Sequence, residues 1–208
     1  MDGREKLRMH MMANDFNEYL RSDKYIDHMH PDVFKKASEL KNTSGDSIDL
    51  IRRTYEFVRD GIKHSWDVQD KRVVAKASET LRVGVGICWA KSNLLAALLR
   101  ANGIPAGICY QKLTLMDTPE DGYCIHALNA VYIVWLNQWI RLDARGNKVG
   151  INAQFSLDKE MLAFPVRQNF GERDYPGIYA EPAEITMQIL EKSTDALDMY
   201  LHSLPEDL

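Results

Sequence analysis

The stretch ICWAKSNLLAALLRA, Ile87 to Ala101, constrains the fold more than any other part of the chain. Ile87, Ala90, Leu94, Leu95, Ala97, Leu98 and Ala101 recur at helical spacing and cover a broad apolar face. The pattern predicts a buried helix. Asn102-Gly103 and then Pro105 stop it, because glycine takes the left-handed cap and proline cannot continue the helix. The next segments read as strands: AGICYQKLTL, then YCIHALNAVYIVW and QWIRLDA. The last two are separated by a short polar turn at Asn137 and predict an antiparallel hairpin. A helix followed by an antiparallel sheet places the chain in the α+β class.

Upstream, HPDVFKKASEL predicts a helix with Pro31 in its first turn. KNTSGDS is a turn, with Asp46 or Ser47 as cap. SIDLIRRTYEFVRDGI carries Ile48, Ile51, Tyr55, Val58 and Ile62 at helical spacing, which predicts a core-facing helix. KHSWDVQDKRVVAKASETLRVGVG is less regular, with a helical turn near Ser78 to Leu81. DTPEDG is a turn or part of a longer loop, and ITMQILEKSTDALDMYL predicts one closing helix. ERDYPGIYAEP is either a lid over a cleft or a surface strap, and the strap is preferred. The chain reads as one domain: an N-terminal helical extension over 1–45, a core over 46–150, and a C-terminal strap and helix over 151–208.

With 208 residues, 45% of them hydrophobic, the chain has material for a sizeable core. The net charge of −4, without a long basic run, speaks against a nucleic-acid partner. No apolar run approaches the roughly 20 residues that span a bilayer. The charged start, MDGREKLRMHMMANDFNEYL, lacks the apolar centre of a secretion signal. The expectation is a cytoplasmic protein with no membrane partner. The cysteines are Cys88, Cys109 and Cys124, an odd number with no CxxC pair. Neither a disulfide framework nor a structural zinc site of the usual spacing is indicated.

Cys88 falls in the first turn of the apolar helix. There the unpaired N–H groups and the positive end of the helix dipole favour a thiolate and can donate to an oxyanion. Gly84 and Gly86, just before it, would let a substrate backbone come close. Taken alone, Cys88 also fits a small buried hydrophobe. A thiol nucleophile needs a base, and the base needs an orienting group. His126 on one strand and Asp143 at the end of the next supply both in order. If Trp135 pairs with Gln138 across the turn, Asp143 stands opposite Ala130. It then shares a face with His126 but lies four residues along the strand, too far for a hydrogen bond. A bulge or another turn register must close that gap.

GVGICWAKSNLLAALLRANGIPAG, IHALNAVYI and QWIRLDARGN resemble, in order, the three blocks of the transglutaminase-like superfamily of papain-like thiol enzymes, over about Ser78 to Arg145. FVRDGIKHSWD resembles the upstream helix and loop of bacterial members. The sequence departs from the family at Leu128, where an aromatic residue is usual, and in a slightly longer hairpin. The resemblance implies a papain-like core, in which the cysteine helix packs on an antiparallel sheet carrying His and Asp, and a Cys88–His126–Asp143 triad. It also implies an oxyanion donor upstream. Trp66 is a candidate, although a half-buried tryptophan packed against the helix is the preferred reading, and Gln69 is a weaker candidate.

The expected activity is cleavage or transfer of an amide or peptide bond through a Cys-acyl intermediate, hydrolysis favoured, with no cofactor or metal. A non-catalytic binding or scaffold module and an amine-accepting transglutaminase are the alternatives. Cys124 shares the face of His126 and would line a cleft; Cys109 reads as core. His28, His30 and His64 suggest a metal only weakly and read as exposed loop residues. Tyr123, Trp89 and Trp135 are aromatic residues for a groove that the sequence cannot position.

Overall fold

The computed structural model describes residues 9–116 and 118–208. Residues 1–8 of the charged start, and Asp117 in the DTPEDG turn, lie outside the described residues. After β1 (His10–Met11) come α1 (Pro31–Asn42), with Pro31 at its start, and α2 (Ser47–Glu56). Asp46 caps α2, accepting the Asp49 N–H at 2.8 Å.

The core-facing helix does not continue to Ile62. After Glu56 the backbone widens into a π-helical turn, Phe57–Gly61. The Lys91 ammonium reaches under this turn and donates to the carbonyls of Arg59, at 3.2 Å, and Ile62. A side chain inserted beneath a helix end is a recognised cause of such departures.

Next come β2 (Lys63–His64), α3 (Ser65–Val68), α4 (Ala77–Val83), β3 (Val85–Gly86) and α5 (Cys88–Ala101). Strands β2 and β3 pair in parallel, setting His64 opposite Gly86, two residues before Cys88. Both glycines have a local role in the fold. Gly84 ends α4 at φ +74°, in the left-handed region. At Gly86 a Cβ would stand 3.1 Å from the Ala90 Cβ, so its missing side chain lets β3 lie against α5.

Helix α5 is buried along nearly its whole length, with α1, α2 and α4 on one side and the main sheet on the other. Leu94, Leu95, Leu98 and Leu99 are fully buried, worth about 1.5–3 kcal/mol each. Arg100 is buried with them, and its guanidinium donates to the carbonyl of Ala106 at 3.0 and 2.7 Å and to that of Arg21 at 2.7 Å. Those bonds offset the cost of burying a cation.

The main sheet has the order β6-β5-β4-β7, formed by β4 (Ala106–Thr114), β5 (Tyr123–Ile133), β6 (Gln138–Leu142) and β7 (Arg173–Asp174), all antiparallel. The β5–β6 turn is wider than a Trp135–Gln138 pairing. Ile133 pairs with Gln138, and Val134–Leu136 form a short 3₁₀ turn closed by Asn137 at φ 50°. This slides β6 by two residues and keeps side-chain parity.

The C-terminal part is a strap rather than a lid along Arg173 to Tyr179. β7 pairs with β4, β8 (Gly177–Ile178) pairs with β1, and Tyr179 bridges to Ile108. The single closing helix is instead two, α6 (Glu184–Lys192) and α7 (Ala196–His202). Asp195 divides them, its carboxylate accepting from the N–H groups of Leu197 and Asp198.

Candidate active site

Cys88 is the first residue of α5, with Ile87 in the capping position. Its side chain lines a cleft of about 620 Å³ together with His126 of β5. Strand β5 is tied to α5 by two side chains. The Trp89 Nε1–H donates to the Ile125 carbonyl at 2.9 Å, and the Asn129 amide donates to the Ser92 carbonyl at 3.0 Å. The helix bearing the thiol and the strand bearing the imidazole are thereby held as one unit.

Asp143 follows the last residue of β6. Leu142 pairs with Asn129, so extending the register sets Asp143 opposite Leu128, two residues from His126 and on the same face. The expected gap of four is halved by the wider turn, and His126 Nε2 lies 2.8 Å from Asp143 Oδ2. Asp143 is fully buried. Its Oδ1 accepts the Arg145 N–H and its Oδ2 the Ala163 N–H, both at 3.1 Å. Burial opposes the charge on this carboxylate, yet His126 and these N–H groups hold it below the usual range.

The imidazole shows the complementary shift. Burial disfavours its cation, but the charges of Asp143 and Cys88 outweigh burial and raise it to about 10. With Nε2 on Asp143, Nδ1 is the nitrogen left for the sulfur. Phe164 meets the imidazole edge-on, with centroids 5.2 Å apart, and shields the pair.

The cleft walls come from widely separated segments. Trp66 of α3 stacks on Tyr200 of α7, at 4.5 Å and 18°. Arg145 and Lys148 share Asp67 as partner and, against its burial, hold that carboxylate far below its ordinary value. Glu172 takes the N–H of Thr114 and the N–H and guanidinium of Arg167 at another wall of the cleft.

Of the sequence-selected residues, Cys88, His126, Trp66, Cys124 and Trp89 line the cleft, with Asp143 behind His126. Gln69 does not line it; its amide donates to the Trp66 carbonyl at 2.6 Å. Cys109 is core and Trp135 is exposed. Burial pushes the Cys124 thiol up to about 12. The histidines correct the expectation of exposed loop residues, since His28 and His64 are buried. His30 is exposed and caps α1. Among the described residues no group of three or more His, Cys, Asp or Glu is placed to hold a metal ion. Sequence reasoning passed over His64, Phe164 and Tyr200 as parts of the cleft. A period-two signal was present for one of them: buried Ile62 and His64 flank exposed Lys63.

A model of the transglutaminase-like superfamily matches residues 35–144, more than half of the chain. The chain belongs to the transglutaminase-like superfamily. No match was found among curated proteins. Among solved structures, it is similar to a candidate cysteine protease from Cytophaga hutchinsonii, at 20% identity and a TM-score of 0.52. That likeness covers 70% of this chain and 48% of the other, and it supports the fold. The periplasmic domain of TgpA from Pseudomonas aeruginosa is 16% identical, with a TM-score of 0.46, over 61% of this chain and 46% of that one. Red sea bream transglutaminase is 12% identical, also with a TM-score of 0.46, over 64% of this chain and 32% of that one. The chain thus spans about half or less of the length of these structures. The transglutaminase-like superfamily fold is the mixed helix-and-sheet arrangement described above. Among the described residues no helix is long and apolar enough to cross a membrane.

Proposed function

We propose that this transglutaminase-like chain is a thiol enzyme that cleaves or transfers an amide or peptide acyl group, with Cys88 as nucleophile, His126 as base and Asp143 as orienting carboxylate. The observation that carries the reading is the buried His126–Asp143 pair, 2.8 Å apart, in the cleft that Cys88 enters from the start of α5. The Cys88 sulfur bonds to the carbonyl carbon, the C=O π pair moves onto oxygen, and the thiol proton rests on His126. When the C=O re-forms, the C–N bond breaks and the His126 proton passes to the leaving amine. Water then releases the acid, with His126 again taking and returning a proton, or an amine takes the acyl group. Hydrolysis is favoured because water needs no second binding site. The chain's own residues supply every proton transfer.

The test is a panel of peptide, glutamine-amide and glycosyl-asparagine substrates, with and without a small primary amine, and with Cys88→Ala as control. Acid product that vanishes in the control supports hydrolysis; an amine adduct supports transfer. Absence of turnover, and of any acyl adduct on Cys88 with p-nitrophenyl acetate by mass spectrometry, contradicts both.

A further inference from the structure

His64 is a buried imidazole, 5% exposed, that lines the cleft beside Cys88 and has no role in the scheme above. Its position is built. The β2–β3 pairing sets it opposite Gly86, and Lys63 N–H donates to the Gly84 carbonyl at 3.0 Å. Lys91, one turn into the nucleophile's own helix, holds the Ile62 carbonyl two residues before it. The His64 ring meets Tyr200 edge-on, with centroids 6.4 Å apart.

Neither ring nitrogen has a hydrogen-bond partner among the described residues, and Nδ1 is fully buried. A buried N–H without an acceptor costs about 1–3 kcal/mol, which favours the tautomer that carries the ring's proton on Nε2 rather than on the enclosed Nδ1. A neutral imidazole must carry one N–H. With Nδ1 enclosed, Nε2 is the nitrogen left to meet a bound molecule. Burial first, then the charge of Arg145, holds His64 well below its usual value, so it stays neutral near pH 7. A neutral N–H donor matches an acyl oxygen and does not compete with His126 for the thiol proton.

We infer that His64 donates its ring N–H to the carbonyl oxygen attacked by Cys88, alongside the Cys88 backbone N–H. The inference rests on the thiol-enzyme reading above. The Cys88 N–H is free to act as second donor because the first residues of a helix have no intrahelical acceptor. Trp66, the donor suggested by sequence, lines the same cleft with its ring face stacked on Tyr200.

The test separates two reactions of the same thiol. Acylation by p-nitrophenyl acetate develops an oxyanion; alkylation by iodoacetamide displaces iodide from a saturated carbon and develops none. His64→Phe is expected to slow acylation about 10²–10³-fold, the usual loss for one oxyanion donor. It should leave alkylation within about twofold of the unsubstituted protein, and His64→Gln, which restores an N–H, should recover part of the loss. Acylation unchanged in His64→Phe, or acylation and alkylation falling together, would overturn the assignment. Should that variant fail to fold, the unsubstituted protein decides. A peptide aldehyde captured as a hemithioacetal should shift the His64 ring ¹⁵N–¹H resonance, and an unmoved resonance on the formed adduct overturns the proposal. Slow alkylation and no acylation in the unsubstituted protein would instead mark failure of the thiol-enzyme reading itself.

Discussion

Asp143 lies two residues along the hairpin register from His126, and that offset brings its carboxylate to 2.8 Å from Nε2. Asp143→Asn should therefore keep the geometry but remove the charge that supports the imidazolium. Turnover is expected to fall on the order of 10³- to 10⁴-fold. Asp143→Ala should also destabilise the fold by about 3–5 kcal/mol, since it strands one member of a buried pair. Steady-state kinetics and urea unfolding of both variants check this; an Asn variant at full activity contradicts it.

The pair also sets a pH window for stability. His126 is raised from 6.5 to about 10, so its contribution is complete below about pH 6.5 and is lost as the pH rises through about 10. Asp143 is depressed from 3.8, so its contribution is present above about pH 3.8 and is lost as the pH falls through its lower folded value. Urea unfolding of the unsubstituted protein and of His126→Gln/Asp143→Asn, from pH 3 to 10, should show a gap widest in the middle and narrowing at both ends. A constant gap contradicts the assigned shifts.

The hairpin shows how far sequence carries. Face parity of His126 and Asp143 follows from strand alternation alone. The turn length does not, because Val134–Leu136 carry no glycine or proline to announce a wider loop. The α5 limits were legible from Ile87, the apolar period and the Asn102-Gly103 stop. The π-helical turn at Phe57–Gly61 was not; the ammonium that donates to its Arg59 carbonyl belongs to Lys91, some thirty residues later. The cleft walls were least legible of all: Phe164 and Tyr200 reach the site only through tertiary packing of the C-terminal part.

Lys91 offers a direct test of that tertiary dependence. Burial first, and then Arg145, lower its ammonium to about 7. Lys91→Met removes the cost of a buried cation but leaves the Arg59 and Ile62 carbonyls without this donor. Unpaired carbonyls are expected to dominate, with a net loss of about 1–3 kcal/mol by urea unfolding. A variant more stable than the parent would show that the ammonium is a burden rather than a clamp.

Tyr200 carries the contribution of α7 to the cleft. Tyr200→Ala removes the Trp66 stack and should cost about 2–4 kcal/mol, between an aromatic-pair loss and a full core truncation. It should also raise KM for bulky apolar peptide amides more than it lowers kcat. Unchanged stability and unchanged KM would make α7 a bystander.

Cys88 is proposed to react as one unit with His126 and Asp143, and this coupling sets its pH profile. The coupling is tested most directly by the rate of iodoacetamide labelling of Cys88 against pH, for the unsubstituted protein, His126→Ala and Asp143→Asn. Labelling is expected to stay fast at pH 6, to be slowed by Asp143→Asn and to be nearly abolished by His126→Ala. A profile that rises only near the isolated-thiol value of about 8.5, and is the same in all three proteins, would contradict it.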